Sequence, residues 1–197
     1  MLSNFHISWR FPLFPGRLVR IFAVALAFRL LFVVVFPGPN YFEGITDSYV
    51  QVMDNLLDGR GLTIVADVAP RPSPERDFRQ EPFIDRPLGY VFLALPAYAM
   101  WRSAVSIQVL HALLGAAACV LMVVAGRKIV SEKAAVRGAW LLAFWPLSAR
   151  FEAAVLPDAV MPFFLLLGLW LIMEARERGW VLWWAAAAGL ALAAGMT

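Results

Sequence analysis

The chain has 197 residues, 61% of them hydrophobic and only 16% charged, with a mean hydropathy of +0.71. Soluble domains carry about 25% charged residues, so a surface covered by water is excluded and lipid must be the solvent for much of the molecule. The net charge of +3 comes from basic residues scattered singly between apolar runs, which argues against a nucleic-acid partner and fits membrane topology signals.

Arg10 and Arg17 lead into an apolar run, 18–36, that past Arg20 near its start only Arg29 interrupts. It is longer than a signal-peptide core and ends at Phe36-Pro37-Gly38-Pro39, a stop without a cleavage site, so it reads as a retained first span. A long loop follows, 38–103. From Gly38 to Pro87 it carries nine acids (Glu43, Asp47, Asp54, Asp58, Asp67, Glu75, Asp77, Glu81 and Asp85) against five arginines. Its start predicts a helix over 46–58. Thr46 caps it, Asp47 lies in its first turn, Val50, Met53 and Leu57 share one face, and Gly59 and Gly61 end it. Polar residues on the other face lay this helix flat on the membrane surface. Pro70-Arg71-Pro72-Ser73-Pro74 reads as an extended, mobile stretch. The apolar segment 87–101 is too short to span and contains Pro96, so it reads as a second interfacial helix, anchored by Tyr90, Tyr98 and Trp101.

Four further spans are expected at 104–126, 134–150, 158–173 and 180–197. If 87–101 does not cross, the N-terminus, the 126–137 loop (Arg127, Lys128, Lys133, Arg137) and the 174–178 loop (Arg176, Arg178) all share one side. The positive-inside rule makes that side cytoplasmic and puts the acidic loop outside. The fold class that follows is an all-α membrane protein, a polytopic transmembrane helix bundle with a long outer first loop carrying interfacial helices. Cys119, the single cysteine, lies in an apolar run and reads as core filler.

This topology brings three polar clusters to one face: Glu43 to Asp47, Asp85-Arg86-Pro87, and Arg150, Glu152 and Asp158. Ionisable groups gathered beside lipid suit a charged lipid substrate. Structural roles compete with that reading. Asp47 and Asp158 both suit helix N-termini, Asp85-Arg86 suits a surface ion pair, and His111 suits hydrogen-bonded packing. Arg29 lies within a span, where a cation costs about 2.5–3.5 kcal/mol. It calls for an acidic partner, a lipid phosphate or a snorkelling path.

Several stretches together resemble the GT-C superfamily of membrane glycosyltransferases, in particular the protein O-mannosyltransferase and lipid A aminoarabinose transferase branch. They are Thr46-Asp47-Ser48-Tyr49 with Asn55-Leu56-Leu57-Asp58-Gly59-Arg60-Gly61, then Arg86-Pro87-Leu88-Gly89-Tyr90, Leu110-His111-Ala112-Leu113-Leu114-Gly115-Ala116, and Leu156-Pro157-Asp158. The resemblance implies transfer of a sugar from a polyprenyl-phosphate donor to a lipid, glycan or protein acceptor on the non-cytoplasmic face of a bacterial plasma (inner) membrane. It implies Asp47 as general base and Arg86 as the donor-phosphate clamp. Asp158 would orient the acceptor, or help fix Arg86 or a metal, and Glu152 is a second candidate for that duty. Tyr49, Arg150 and Arg29 complete the substrate-binding set. Ser48 stands where many relatives carry a second acid, so a divalent metal is not indicated and the cofactor is left unassigned. Relatives continue beyond the position of Thr197, which makes this chain the expected N-terminal portion of a longer protein. The rival reading is a non-catalytic assembly subunit or a transporter fragment. Clustering of the acids at one interface disfavours transport, which uses ionisable residues near mid-membrane on broken helices.

Overall fold

The computed structural model describes residues 15–36, 43–66, 79–82, 86, 88–178, 185–187 and 189, which are mostly helical. In chain order they form α1 (Pro15–Val35), α2 (Glu43–Leu57), the strands β1 (Thr63–Ala66) and β2 (Arg79–Pro82), and α3 (Leu88–Trp101). Then come α4 (Ala104–Gly126), α5 (Glu132–Ala143), α6 (Pro146–Ala153), a 3-10 turn (Pro157–Val160) and α7 (Met161–Arg178). Three helical stretches are long and apolar enough to cross a membrane: Gly16–Val35, Ala104–Gly126 and Pro157–Glu177. The expected spans at 18–36, 104–126 and 158–173 fall on them. The one at 180–197 lies outside the described residues apart from 185–187 and 189, as do Pro70 to Pro74, Asp85 and Pro87.

Helix α4 is central, packed against α1, α5 and α7. Its Ala116, Cys119 and Val123 meet Ile21 and Ala25 of α1 and Ala139 and Ala143 of α5 in one buried cluster. Small residues at these crossings let backbones approach, the main source of helix association where lipid is as apolar as the side chains. Ser131 caps α5 by accepting from the Ala134 N–H at 3.3 Å.

The segment expected as a single span at 134–150 is divided in two. Pro146 has no N–H to give the Leu142 carbonyl and cannot continue the helix, so α5 stops at Ala143 and α6 starts at Pro146. The Trp145 N–H turns back to Leu142 O at 3.4 Å. Neither piece is by itself long enough to cross a hydrocarbon core.

Ion pairs fix which helix ends lie together. Arg17 meets Glu132 at 2.8 Å, and Lys128 meets Glu174 at 2.8 Å and Glu177 at 2.7 Å. The start of α1, the α4–α5 connection and the end of α7 therefore share one end of the bundle, where most of the basic residues among those described sit. At the other end α2 and α3 cover the connection between α6 and α7. There Tyr49, Val52, Met53, Tyr90, Val91, Ala94 and Tyr98 pack on Val155 and Val160.

Helix α2 begins at Glu43, so Thr46 lies inside it rather than capping it, and Asp47 is beyond the first turn. Its fully buried face is Tyr49, Val52 and Met53. The expected face of Val50, Met53 and Leu57 is rotated from it by about one residue, with Val50 and Leu57 at the margin. The helix ends as expected at Gly59, φ +75°, with Arg60 N–H to Asn55 O at 2.7 Å and Gly59 N–H to Leu56 O at 3.2 Å. That pair of bonds is a Schellman motif. Asn55 donates to Thr63 O at 2.7 Å and so ties β1 to α2. The two strands pair antiparallel, Thr63 opposite Pro82 and Ala66 opposite Arg79, where the sequence reading expects loop. Across to α3, the Tyr98 hydroxyl donates to Asp54 at 3.0 Å and Arg102 to Asp58 at 2.9 Å.

Candidate functional site

Tyr49 of α2, Arg86 before α3 and Asp158 of the 3-10 turn converge at the end of the bundle covered by α2 and α3. The Arg86 guanidinium carbon stands 5.9 Å from the centroid of the Tyr49 ring. Burial raises the Tyr49 hydroxyl above its usual pKa, the Arg86 cation offsets part of this, and the Asp158 anion adds to it. The turn that presents Asp158 is strained: Val155 is buried with φ +56°, a conformation unfavourable for a β-branched residue. Pro157 then starts the 3-10 turn with its φ already set, and Asp158 lies in its first turn.

Behind Tyr49 the polar contacts continue into the bundle. The Tyr49 and Tyr90 rings meet edge to face at 4.8 Å. The Tyr90 hydroxyl is 3.0 Å from His111 Nε2, and His111 Nδ1 is 3.0 Å from the Glu152 carbonyl. A carbonyl only accepts, so Nδ1 carries the proton, Nε2 accepts, and Tyr90 donates to it. One turn earlier on α4, Gln108 Nε2 donates to Ala153 O at 2.5 Å. His111 and Gln108 thus satisfy two carbonyls at the C-terminus of α6, groups a buried helix end leaves orphaned.

Arg29 and Glu152 sit deeper, 1% and 2% exposed. Arg29 Nε is 2.8 Å from Glu152 Oε2 and donates to Oε1 at 3.1 Å, while Ser148 Oγ also donates to Oε1 at 3.0 Å. The rest of the guanidinium donates to Ala143 O at 3.2 Å, Leu142 O at 3.3 Å and Ala25 O at 3.3 Å. Arg29 thereby caps the Ala143 carbonyl that the break at Pro146 frees and adds to the long Trp145 bond on Leu142, with its charge at a helix C-terminus where a cation is favoured. Gly115 makes room for the pair: a Cβ there would overlap Arg29 Nε and Glu152 Oε1.

Of the residues singled out from sequence, Tyr49, Arg86 and Asp158 are brought together. Arg29 and Glu152 pair with each other inside the bundle, so Glu152 does not stand with Asp158 at the surface although six positions separate them. Arg150 lies over the Phe36 ring at 4.5 Å, at the end of α1. Asp47 is exposed on α2. Two residues are about 200° of helix, so it projects from the flank opposite Tyr49. Tyr90, Gln108, Ser148 and Gly115 were missed as parts of this network. The i, i+3 pair Gln108 and His111 in an otherwise apolar helix was the available signal. Among the described residues no group of three His, Cys, Asp or Glu side chains is placed to hold a metal ion.

Beside Asp158 a cleft of about 220 Å³ opens between the α5–α6 break and the start of α7. Trp145, Leu147, Phe151 and Pro162 line it together with Ser148 and Asp158. Comparison with protein-family models, with curated proteins and with solved structures finds nothing that matches this chain.

Proposed function

We propose that the chain is a membrane glycosyltransferase, or its N-terminal portion, of the GT-C kind, using a polyprenyl-phosphate-linked sugar on the non-cytoplasmic face. The observation that carries this reading is the convergence of Arg86, Tyr49 and Asp158 from three separate elements beside an apolar cleft. A guanidinium gives a permanent charge and a fork of donors suited to phosphate oxygens, and a nearby carboxylate accepts a hydrogen bond from a hydroxyl or amine. In the transfer, the acceptor's oxygen or nitrogen bonds to the anomeric carbon as the bond from that carbon to the phosphate oxygen breaks. The polyprenyl phosphate leaves with the electron pair, held by Arg86, and the acceptor's proton passes to a carboxylate. Asp47 has that last role from the resemblance, while Asp158 has in its favour that its charge and that of Arg86 both act on Tyr49.

The test is sugar transfer by the full-length protein in vesicles containing a polyprenyl-phosphate sugar, with Asp47→Asn, Asp158→Asn and Arg86→Ala compared. Loss of transfer with Arg86→Ala and with one of the two asparagine variants is expected. Full activity of Asp47→Asn removes Asp47 from the mechanism, and full activity of all three removes the reading.

The broken α5–α6 segment beside a buried ion pair favours the rival transporter reading, since transporters place charges at broken helices. Against it, the two carbonyls freed at the break already accept from Arg29, so they hold the protein's own cation rather than a transported one.

A further inference from the structure

We propose that the cleft between α6 and α7 seats the alkyl chain of a lipid acceptor, whose hydroxyl or amine head faces Asp158. The name acceptor rests on the transferase reading, but the binding claim stands on the cleft itself. The cleft arises from the chain break: Pro146 ends α5 early, and Pro162, in the first turn of α7, lies across from it. Trp145 and Leu147 on its rim are 54% and 52% exposed, and Leu141, Phe144 and Leu165 nearby are exposed as well. Exposed large apolar side chains at this density belong against lipid, so whatever enters the cleft comes sideways from the bilayer.

The cleft is smaller than the 300–1,000 Å³ or so of a whole-ligand pocket, which suits a stretch of alkyl chain with its head outside. Ser148 already donates to Glu152, and Asp158 is the one ionisable group among the described residues of the lining. A carboxylate there repels a phosphate and accepts from a hydroxyl or an ammonium group, so charge separates the two lipid substrates. A phosphate-bearing donor is drawn to Arg86, and a neutral or cationic acceptor to Asp158. Tyr49 lies under the Arg86 guanidinium and feels both charges. The acceptor class narrows accordingly, from lipid, glycan or protein to a lipid with a nucleophilic, non-anionic head.

The experiment uses the full chain in phosphatidylcholine vesicles with three photoreactive probes of equal chain length: an alkyl alcohol, an alkyl amine and an alkyl phosphate. Adducts are mapped by mass spectrometry. The alcohol and amine are expected to label the 145–162 segment about tenfold more than the phosphate, the discrimination a charge-assisted hydrogen bond confers over a like-charge contact. Asp158→Asn should level the three probes, and Leu147→Trp, filling the cleft from its exposed rim, should abolish labelling there. Equal labelling by all three probes in the unaltered chain overturns the proposal. So does labelling that spreads evenly to Leu141 and Leu165 and survives Leu147→Trp. Sugar transfer plays no part in this readout. Selective labelling without transfer would sink the transferase reading alone, and transfer without selective labelling would sink only the acceptor cleft.

Discussion

Arg29 and Glu152 stand 123 positions apart and meet at 2.8 Å inside the bundle, with Arg29 also capping the last carbonyls of α5. The pair is as much a repair of the helix break as an electrostatic bond. Removing one partner strands the other in a dry interior, so Arg29→Ala should cost about 3–5 kcal/mol. Glu152→Gln, which keeps an acceptor oxygen, should cost less. The double variant Arg29→Met/Glu152→Leu removes both charges but leaves the Ala143 carbonyl without its donor, at about 1–3 kcal/mol, and Leu142 with only the long bond from the Trp145 N–H. It should therefore stay well below the unaltered protein in equilibrium unfolding from mixed micelles. Full recovery in the double variant would show that capping contributes nothing.

Gly115 gives a sharper steric test. Gly115→Ala drives a methyl group into the Arg29–Glu152 pair, which is hemmed in on every side, and should lower the unfolding midpoint markedly. Gly138→Ala is the control, because its Cβ would meet Met122 only at 3.8 Å. There the better helix propensity of alanine should raise stability by up to about 1 kcal/mol. Equal effects at the two positions would mean that the pair moves aside freely.

These two tests probe features with very different sequence signals. Helices α1, α4 and α7 were legible because an apolar run of membrane length has few other solutions, and Gly59 marked the end of α2 because a left-handed φ is needed there. Pro146 was visible too, yet the run 134–150 read straight through it, since hydropathy does not register a missing N–H. The partnership of Arg29 with Glu152 was not legible: it depends on how α1, α4 and α6 are rotated about their axes, and uniformly apolar helices leave no stripe from which to read rotation. The α2 face shifted by one residue for a related reason. Tyr49 was placed in the substrate-binding set, but its ring is the largest side chain that α2 buries. Of the candidate site, the convergence of Arg86 and Asp158 followed from topology, whereas Asp47 and Tyr49, neighbours in the motif, point to opposite sides of their helix.

His111 has a tautomer set by its partners, which predicts an ordered series of variants. His111→Leu leaves the Tyr90 hydroxyl without its partner and the Glu152 carbonyl with only the 3.4 Å bond from the Val155 N–H, and should cost about 1–3 kcal/mol. His111→Gln keeps one donor and one acceptor, so it should restore a good part of the loss. Tyr90→Phe removes a single hydrogen bond and should fall between the unaltered protein and His111→Leu. If leucine and glutamine prove equivalent in unfolding measurements, the ring is merely filling space.

The junction of α2 with α3 should respond to pH at both extremes. Hydrogen bonds from Arg102 at 2.9 Å and Arg60 at 2.6 Å hold the Asp58 carboxyl below its ordinary value of 3.8. A depressed folded-state pKa means that the unfolded chain takes up the proton first. The stabilisation is therefore complete above about 3.8 and is lost as pH falls through the lower, folded value. Asp58→Asn should lack that acid-dependent step, and added salt should weaken it, because the pair is exposed. Tyr98 behaves in the opposite sense. Burial, and donation to Asp54, push its hydroxyl up from 10.0 to about 12. The unfolded chain then loses its proton first on the alkaline side, so this contribution is complete below about pH 10 and disappears as pH rises toward 12. Unfolding midpoints measured across pH should show both steps in the unaltered protein, only the alkaline one in Asp58→Asn, and in Tyr98→Phe the acid one with a smaller alkaline step, because the Tyr49 hydroxyl is raised as well. An acid step that survives in Asp58→Asn would assign acid sensitivity to another carboxylate and remove Asp58 from the α2–α3 clamp.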